Sequence, residues 1–284
     1  MVNAKLDKSV ITHAVREAKN DESDLAFYLD ELRLKGFTVA PSGLSPDEIN
    51  EAREKIDLIY AKQIEEVGGE DNLRLMNDAN IARALVAYDD LFIKVACLDI
   101  VHQICGALLG PVYNLMSQNG IINVPGTNHY QFTWHRDLNY QHFTSSRPIA
   151  LSALVCIDPF NDVTGGTYVL QGSHLQEMFP SSRYVRANQQ VITAEVGDII
   201  IFDSMLYHRT GANMSTMTRR GVNHIITHPF CKQQYSFPHM LGPRPDIKDP
   251  QTRMMLGYGF EPAADALSWR KNKISIAEQK KVST

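Results

Sequence analysis

His135 and Asp137 stand one residue apart in Trp134-His135-Arg136-Asp137-Leu138. On an extended strand, residues two apart point to the same side. An imidazole and a carboxylate would then converge on one point. His208, in Asp203-Ser204-Met205-Leu206-Tyr207-His208-Arg209, would complete a two-histidine, one-carboxylate face around a metal. Such a face leaves the opposite coordination positions open, as in non-haem Fe(II) oxygenases. Arg219 follows His208 by eleven residues. Its planar guanidinium suits a carboxylate gripped through two parallel hydrogen bonds. A metal face and a carboxylate anchor together point to 2-oxoglutarate as cosubstrate, with O2 as oxidant.

No other His-x-Asp or His-x-Glu occurs among the ten histidines. Gln131, Thr133, His135 and Asp137 share one parity, so a regular strand would aim all four into the same interior, where polar groups need partners. His174 is a rival third ligand, but it follows Gly172-Ser173 in a turn, where local hydrogen bonding is the commoner fate. A single histidine such as His208, taken alone, is more often a satisfied core residue than a ligand. Arg219 and Arg220 are adjacent, and alternation lets only one of them face inward.

These residues must be positioned by elements that the pattern also predicts. Apolar positions recur at helical spacing from about Lys5 to Leu34, and Gly36 to Ala40 reads as a short strand. Ser45-Pro46-Asp47-Glu48 predicts a helix start with a capping box and proline in the first turn, and the helix should run to about Glu66. Val67 to Asn80 reads as a loop near a substrate entrance, and Leu91 to Leu109 as one helix ended by Gly110-Pro111. Short β-branched and aromatic runs follow: Tyr113–Met116, Gly120–Val124, Tyr130–Asp137, Ile149–Ile157, Thr167–Leu170, Val191–Ala194, Ile199–Phe202, Tyr207–Arg209 and Gly221–His228. So many short strands imply a sandwich or barrel. A helix is expected near Asp249 to Leu256, and the last dozen residues should fray.

Charged residues are 21% of the 284, hydrophobic residues 44%, and the formal net charge is -4 with the basic residues scattered. That balance suits a globular protein with a substantial core and gives no electrostatic footprint for nucleic acid or an anionic membrane. No signal-peptide core and no apolar run of about 18 residues is evident, so a cytoplasmic protein is expected. A small-molecule substrate is the expected partner, and homo-oligomerisation is left open. Cys97, Cys105, Cys156 and Cys231 have neither Cys-x-x-Cys spacing nor polar surroundings, which argues for small buried hydrophobes.

Trp134-His135-Arg136-Asp137-Leu138-Asn139-Tyr140, Gly165-Gly166 through Gly172-Ser173-His174, and Gly197-Asp198 through His208 to Arg219 together resemble the phytanoyl-CoA dioxygenase family of Fe(II)/2-oxoglutarate oxygenases. Upstream, Lys35-Gly36-Phe37-Thr38-Val39 and Leu44-Ser45-Pro46-Asp47-Glu48-Ile49 resemble that family's opening strand and helix, and Leu256-Gly257-Tyr258 resembles a late element. The resemblance implies a mainly β fold, a double-stranded β-helix (jelly-roll, cupin-like) flanked by α-helices, as one domain over 1–284. Residues 1–110 would be its mainly helical part, 111–230 the core and 231–284 an extension.

It also implies iron held by His135, Asp137 and His208, with the distal carboxylate of 2-oxoglutarate on Arg219 and supported by Thr210. Thr167 and Gln131 would be further cosubstrate contacts. Apart from the resemblance, Arg136, Asn139, Tyr140, His142 and Asn223, polar residues beside the proposed site, are candidates for substrate contacts or else for loop stabilisation. Related halogenases have a small residue where Asp137 stands, so halogenation is disfavoured. The chain ends Lys281-Val282-Ser283-Thr284 without a peroxisomal address, so an acyl-CoA substrate is not implied. The expected reaction is oxidation, by hydroxylation, of an unactivated carbon of a small molecule, with secondary metabolism as the expected setting. The competing expectations are a cupin-type metal isomerase, a dioxygenase independent of 2-oxoglutarate, and a non-catalytic binding barrel; the first two leave the spacing to Arg219 unexplained.

Overall fold

The computed structural model describes residues 11–12, 15–16, 22–127, 130–138 and 141–282. Two-residue strands β1 (Ile11–Thr12) and β2 (Val15–Arg16) pair with each other, and helix α1 spans only Asp24–Leu34. Of the long helix expected from Lys5, the part before Ile11 lies outside the described residues, and among those described α1 alone is helical, with the paired β1 and β2 ahead of it. β-branched Ile11, Thr12 and Val15 favour strand, and Ser23 starts α1 by accepting the Ala26 amide. Strand β3 (Phe37–Pro41) follows, then helix α2 (Pro46–Glu66). At its start the Ser45 and Glu48 side chains each bond the other's backbone amide, the expected capping box.

Residues 67–80 hold a helix, α3 (Glu70–Leu75), in place of the expected loop, and Arg83 on β4 (Ile81–Arg83) reaches the large cavity described below instead. The single helix expected over 91–109 is two, α4 (Leu91–Ala96) and α5 (Asp99–Leu108), because Leu98 between them is extended. Contrary to the sequence expectation, Leu91–Leu108 is an 18-residue apolar window, of mean hydropathy 1.7. Its apolar character is used inward: Phe92, Val95, Val101 and Ile104 are buried in the core.

Strand β5 (Asn114–Asn123) is continuous where two strands broken before Gly120 were expected. Gly120 marks a close approach and no turn: a side chain there would bring its Cβ to 3.1 Å from the Ile56 methyl of α2. Then come β6 (Ala150–Cys156), β7 (Thr167–Val169), α6 (Ser182–Asn188), β8 (Gln190–Val191), β9 (Asp198–Asp203), β10 (His208–Thr210) and β11 (Arg219–Thr227). Helices α7 (Phe237–Leu241), α8 (Pro250–Met255) and α9 (Ala266–Val282) complete the chain, so the expected fraying gives way to a helix through residue 282.

One antiparallel sheet has the order β3-β9-β6-β11-β5-β4, and a smaller one has β10-β7-β8. Together they make the jelly-roll. Every residue of β6 is buried, so the strand lacks the apolar-polar alternation of a half-exposed sheet. The reason is that both faces are covered. Leu151, Ala153 and Val155 pack with Ile56 of α2 and Ile104 of α5, while Leu154 and Cys156 point the other way and pack with Phe160, Val169, Phe202 and Leu206. The second face is the inside of the jelly-roll, and it is there that the polar residues gather.

Candidate metal centre

Residues Tyr130–Phe132 form a 3-10 turn, so the regular strand expected over 130–137 is absent. His135 is held by an isolated antiparallel bridge to His208: the His135 amide donates to the His208 carbonyl at 2.9 Å and the His208 amide returns to His135 at 3.1 Å. Main-chain pairing therefore sets the two imidazoles side by side, with ring centroids 4.3 Å apart. The Asp137 amide donates to the Ser204 carbonyl at 3.0 Å, which brings its carboxylate to the same point. Asp137 Oδ1 lies 3.5 Å from His208 Nε2 and 4.0 Å from His135 Nε2. One donor atom from each of the three residues falls within 4.8 Å of the others, the one group of this kind among the described residues.

Each histidine uses its other nitrogen on the backbone. His135 Nδ1 is 2.8 Å from the Thr133 carbonyl and His208 Nδ1 is 3.0 Å from the Leu206 carbonyl. Donation from Nδ1 orients each ring so that Nε2 is the nitrogen turned toward the common point, the atom that would bind a metal. Burial and the neighbouring His208 draw the His135 pKa down to about 4 against the pull of Asp137. Burial would lower His208 as well, but Asp137 outweighs it and the value rises. Burial alone would raise Asp137, yet the two histidines and the Ser152 hydroxyl hold its carboxyl well below the usual range.

Arg219 opens β11 and is 2% exposed. Its Nη2 donates to the Gly165 carbonyl at 2.7 Å, its guanidinium lies 4.1 Å from the centre of the Phe160 ring, and its Nε has no partner among the described residues. Burial lowers its pKa to about 10, so it remains a cation at neutral pH. A cation so enclosed and without a carboxylate is costly unless an anion joins it. Gly165 has φ +78°, and a side chain there would bring its Cβ to 2.4 Å from the Gly211 carbonyl oxygen, so only glycine lets this loop pass close enough for its carbonyl to meet Arg219.

Thr167 and Thr210 face each other across β7 and β10 and, with Gln131, Asn223 and Arg219, line a narrow pocket that also holds the side chains of His135, Asp137 and His208. A larger cavity of about 1040 Å³ adjoins it and shares His135, Asp137, Gln131 and Asn223. Its wall is largely apolar, through Met116, Leu138, Phe143, Ile149, Ile225 and Phe230.

Not every expected residue is brought to this place. The Arg136 side chain lines the large cavity but bonds the Ser173, Gln176 and Glu177 carbonyls and stacks on Tyr207, as a brace does. His142 is exposed and outside both linings. Asn139 and Tyr140 lie outside the described residues. His174, the rival ligand, is turned toward the Arg33 carbonyl at 3.3 Å and is not in the metal-competent group. Sequence reasoning missed Ser152 and Ser204, which bond each other at 2.8 Å behind Asp137. The available signal was parity: Ser152 is a lone hydroxyl sharing a strand face with Leu154 and Cys156.

A phytanoyl-CoA dioxygenase (PhyH) family model matches residues 32–221, more than half of the chain. The uncharacterized protein Rv1501 of Mycobacterium tuberculosis is 27% identical over 237 residues, covering 81% of this chain and 85% of its own. Dioxygenase andF of Emericella variicolor is 28% identical over 56% of this chain and 57% of its own. A crystal structure of EctD from S. alaskensis with 2-oxoglutarate and 5-hydroxyectoine superposes with a TM-score of 0.62 at 20% identity, over 79% of this chain and 82% of that one. The chain is an oxygenase belonging to the phytanoyl-CoA dioxygenase (PhyH) family.

Proposed function

We propose that this chain is an Fe(II)- and 2-oxoglutarate-dependent dioxygenase that hydroxylates an unactivated carbon of a small molecule, with decarboxylation of 2-oxoglutarate to succinate and CO2. The observation that carries the reading is the pairing of a three-donor face with a buried, unmatched guanidinium in one pocket. The donor set fits iron: two neutral imidazole nitrogens and one carboxylate oxygen on one side of a common point. The pocket fits a dianion, since Arg219 supplies a buried positive charge and Thr167 and Thr210 supply hydroxyls beside it. Iron and 2-oxoglutarate supply the oxidising chemistry when bound, which no side chain here can provide.

The chain's own residues bind, orient and enclose. Arg219 takes the distal carboxylate and thereby sets how far the keto acid reaches toward His135, Asp137 and His208. The apolar wall of the large cavity removes the substrate's skeleton from water, and Gln131 and Asn223 stand where that cavity meets the metal face. EctD and andF lend support by analogy, the first through the 2-oxoglutarate in its structure and the second through its name. A cytoplasmic enzyme of secondary metabolism is the setting we favour.

The test is anaerobic reconstitution with Fe(II) and 2-oxoglutarate, admission of O2, and measurement of succinate across a substrate panel, with products identified by mass spectrometry. Succinate release that needs Fe(II) and rises with one panel member supports the reading. Iron-dependent turnover with no 2-oxoglutarate requirement would replace it with a cupin-type isomerase or a dioxygenase of another kind.

A further inference from the structure

We infer that Ser152 is a positioning residue for Asp137: its hydroxyl occupies Oδ2, so that Oδ1 alone is offered to the metal. The inference rests on the metal-centre reading above. Ser152 is fully buried in the middle of β6, and its Oγ donates to Asp137 Oδ2 at 2.5 Å. The other carboxylate oxygen, Oδ1, is the one nearest both histidine Nε2 atoms. The two oxygens of Asp137 thus have separate environments, one toward a hydroxyl and one toward the imidazoles.

The direction of the hydrogen bonds is fixed by proton count. A carboxylate that serves as a metal ligand can only accept, so Ser152 spends its single proton on Oδ2. The contact of 2.8 Å between Ser152 and Ser204 must then run from the Ser204 hydroxyl to the Ser152 oxygen. Ser204 also accepts the Asp137 amide on its carbonyl and gives its own amide to the Ala150 carbonyl. Backbone and carboxylate of Asp137 are therefore referred to the same two strands, β6 and the end of β9. A carboxylate left to rotate can chelate through both oxygens and take a coordination position that the cosubstrate or oxidant needs. Ser152 prevents that by holding one oxygen away.

Apo protein, as the full chain, is titrated anaerobically with Fe(II) by calorimetry, and separately with Co(II) while its visible ligand-field bands are recorded. For Ser152→Ala we expect Fe(II) affinity to fall by about 10- to 100-fold, as for loss of an outer hydrogen bond to a metal ligand, and the Co(II) bands to shift. Ser152→Thr, which keeps the hydroxyl, should restore both. A merely structural hydroxyl would lower the melting temperature of apo Ser152→Ala and leave its Co(II) bands as in wild type. If that variant does not fold, Ser204→Ala decides, since it removes the donor behind Ser152 and should weaken Fe(II) binding in the same direction. Wild-type affinity and bands in the folded serine variants overturn the inference and leave the metal centre standing. Failure of wild type to bind Fe(II) overturns the metal centre itself.

Discussion

The two faces of β11 carry the same residue types to opposite ends. Arg219 points into the jelly-roll, buried, with a backbone carbonyl as its one named hydrogen-bond partner. Arg220 points toward α2, where its Nε and Nη2 bond Asp57 at 2.8 Å each and its Nη1 reaches Asp158 at 3.1 Å. Further along, Asn223 lines the pocket, while His224 faces the other way and is fully enclosed, donating from Nδ1 to the Ala153 carbonyl and accepting at Nε2 from the Gln118 amide at 2.9 Å. The polar groups of the outer face have their partners within the protein, whereas on the inner face Arg219 Nε and Asn223 Oδ1 have none among the described residues. Fully paired polar groups hold a fold together, whereas a buried polar group without a partner is costly unless a ligand supplies one.

This contrast breaks first at the metal. Asp137→Ala should cost more than about 100-fold in Fe(II) affinity, above the range for an outer-sphere partner, and abolish succinate release while the melting curve stays cooperative. Measured iron content settles it: a variant that retains iron would move the centre elsewhere. Next comes the inner arginine. Arg219→Ala should raise the KM for 2-oxoglutarate about 10- to 100-fold, the value of one lost charge-assisted bond, and spare Fe(II) binding. An unchanged KM would strip Arg219 of its role.

The outer face predicts effects on stability alone. Burial lowers the His224 pKa to about 4, below its unfolded value of about 6.5. A depressed histidine pKa means that stability is complete above about pH 6.5 and declines as pH falls toward 4, because the unfolded chain takes the proton that the native state refuses. Denaturation of wild type and His224→Gln across this range should differ in slope by on the order of 2–3 kcal/mol in total. Parallel curves would mean that another group governs the acid limb. The smallest effect belongs to Arg220→Ala. It should cost about 1–2 kcal/mol, since Asp158 keeps Arg53 and Asp57 is half-exposed, and should leave the KM for 2-oxoglutarate unchanged.

Local chemistry was legible in the sequence, and long-range register was not. The capping box at Ser45 and Glu48 needs only four consecutive residues, and the alternation of Arg219 and Arg220 only two. His135 and Asp137 were identified through a strand parity that the fold does not use; they converge because their amides bond His208 and Ser204. Parity marks Ser152 as a hydroxyl on the inner face of β6, but its place behind Asp137 depends on the pairing of β6 with β9, which no local pattern encodes. Gly120 misled because its small size reads as a break from sequence but serves contact with α2. The halves of 91–108 merged for a related reason: one apolar run fits a single helix as well as two parted by an extended residue.

The reciprocal amide bonds between His135 and His208 tie the order of biosynthetic events to the centre. A nascent chain that has not yet emerged past residue 208 offers an isolated imidazole and carboxylate, with no third arm to complete a chelate. Iron therefore acts as a ligand of the finished protein, and mass action rewards completion: at a free concentration 100 times the dissociation constant it adds about 2.7 kcal/mol to native stability. Iron starvation would then lower the abundance of this chain as well as its turnover, by leaving the emptied form more open to proteases.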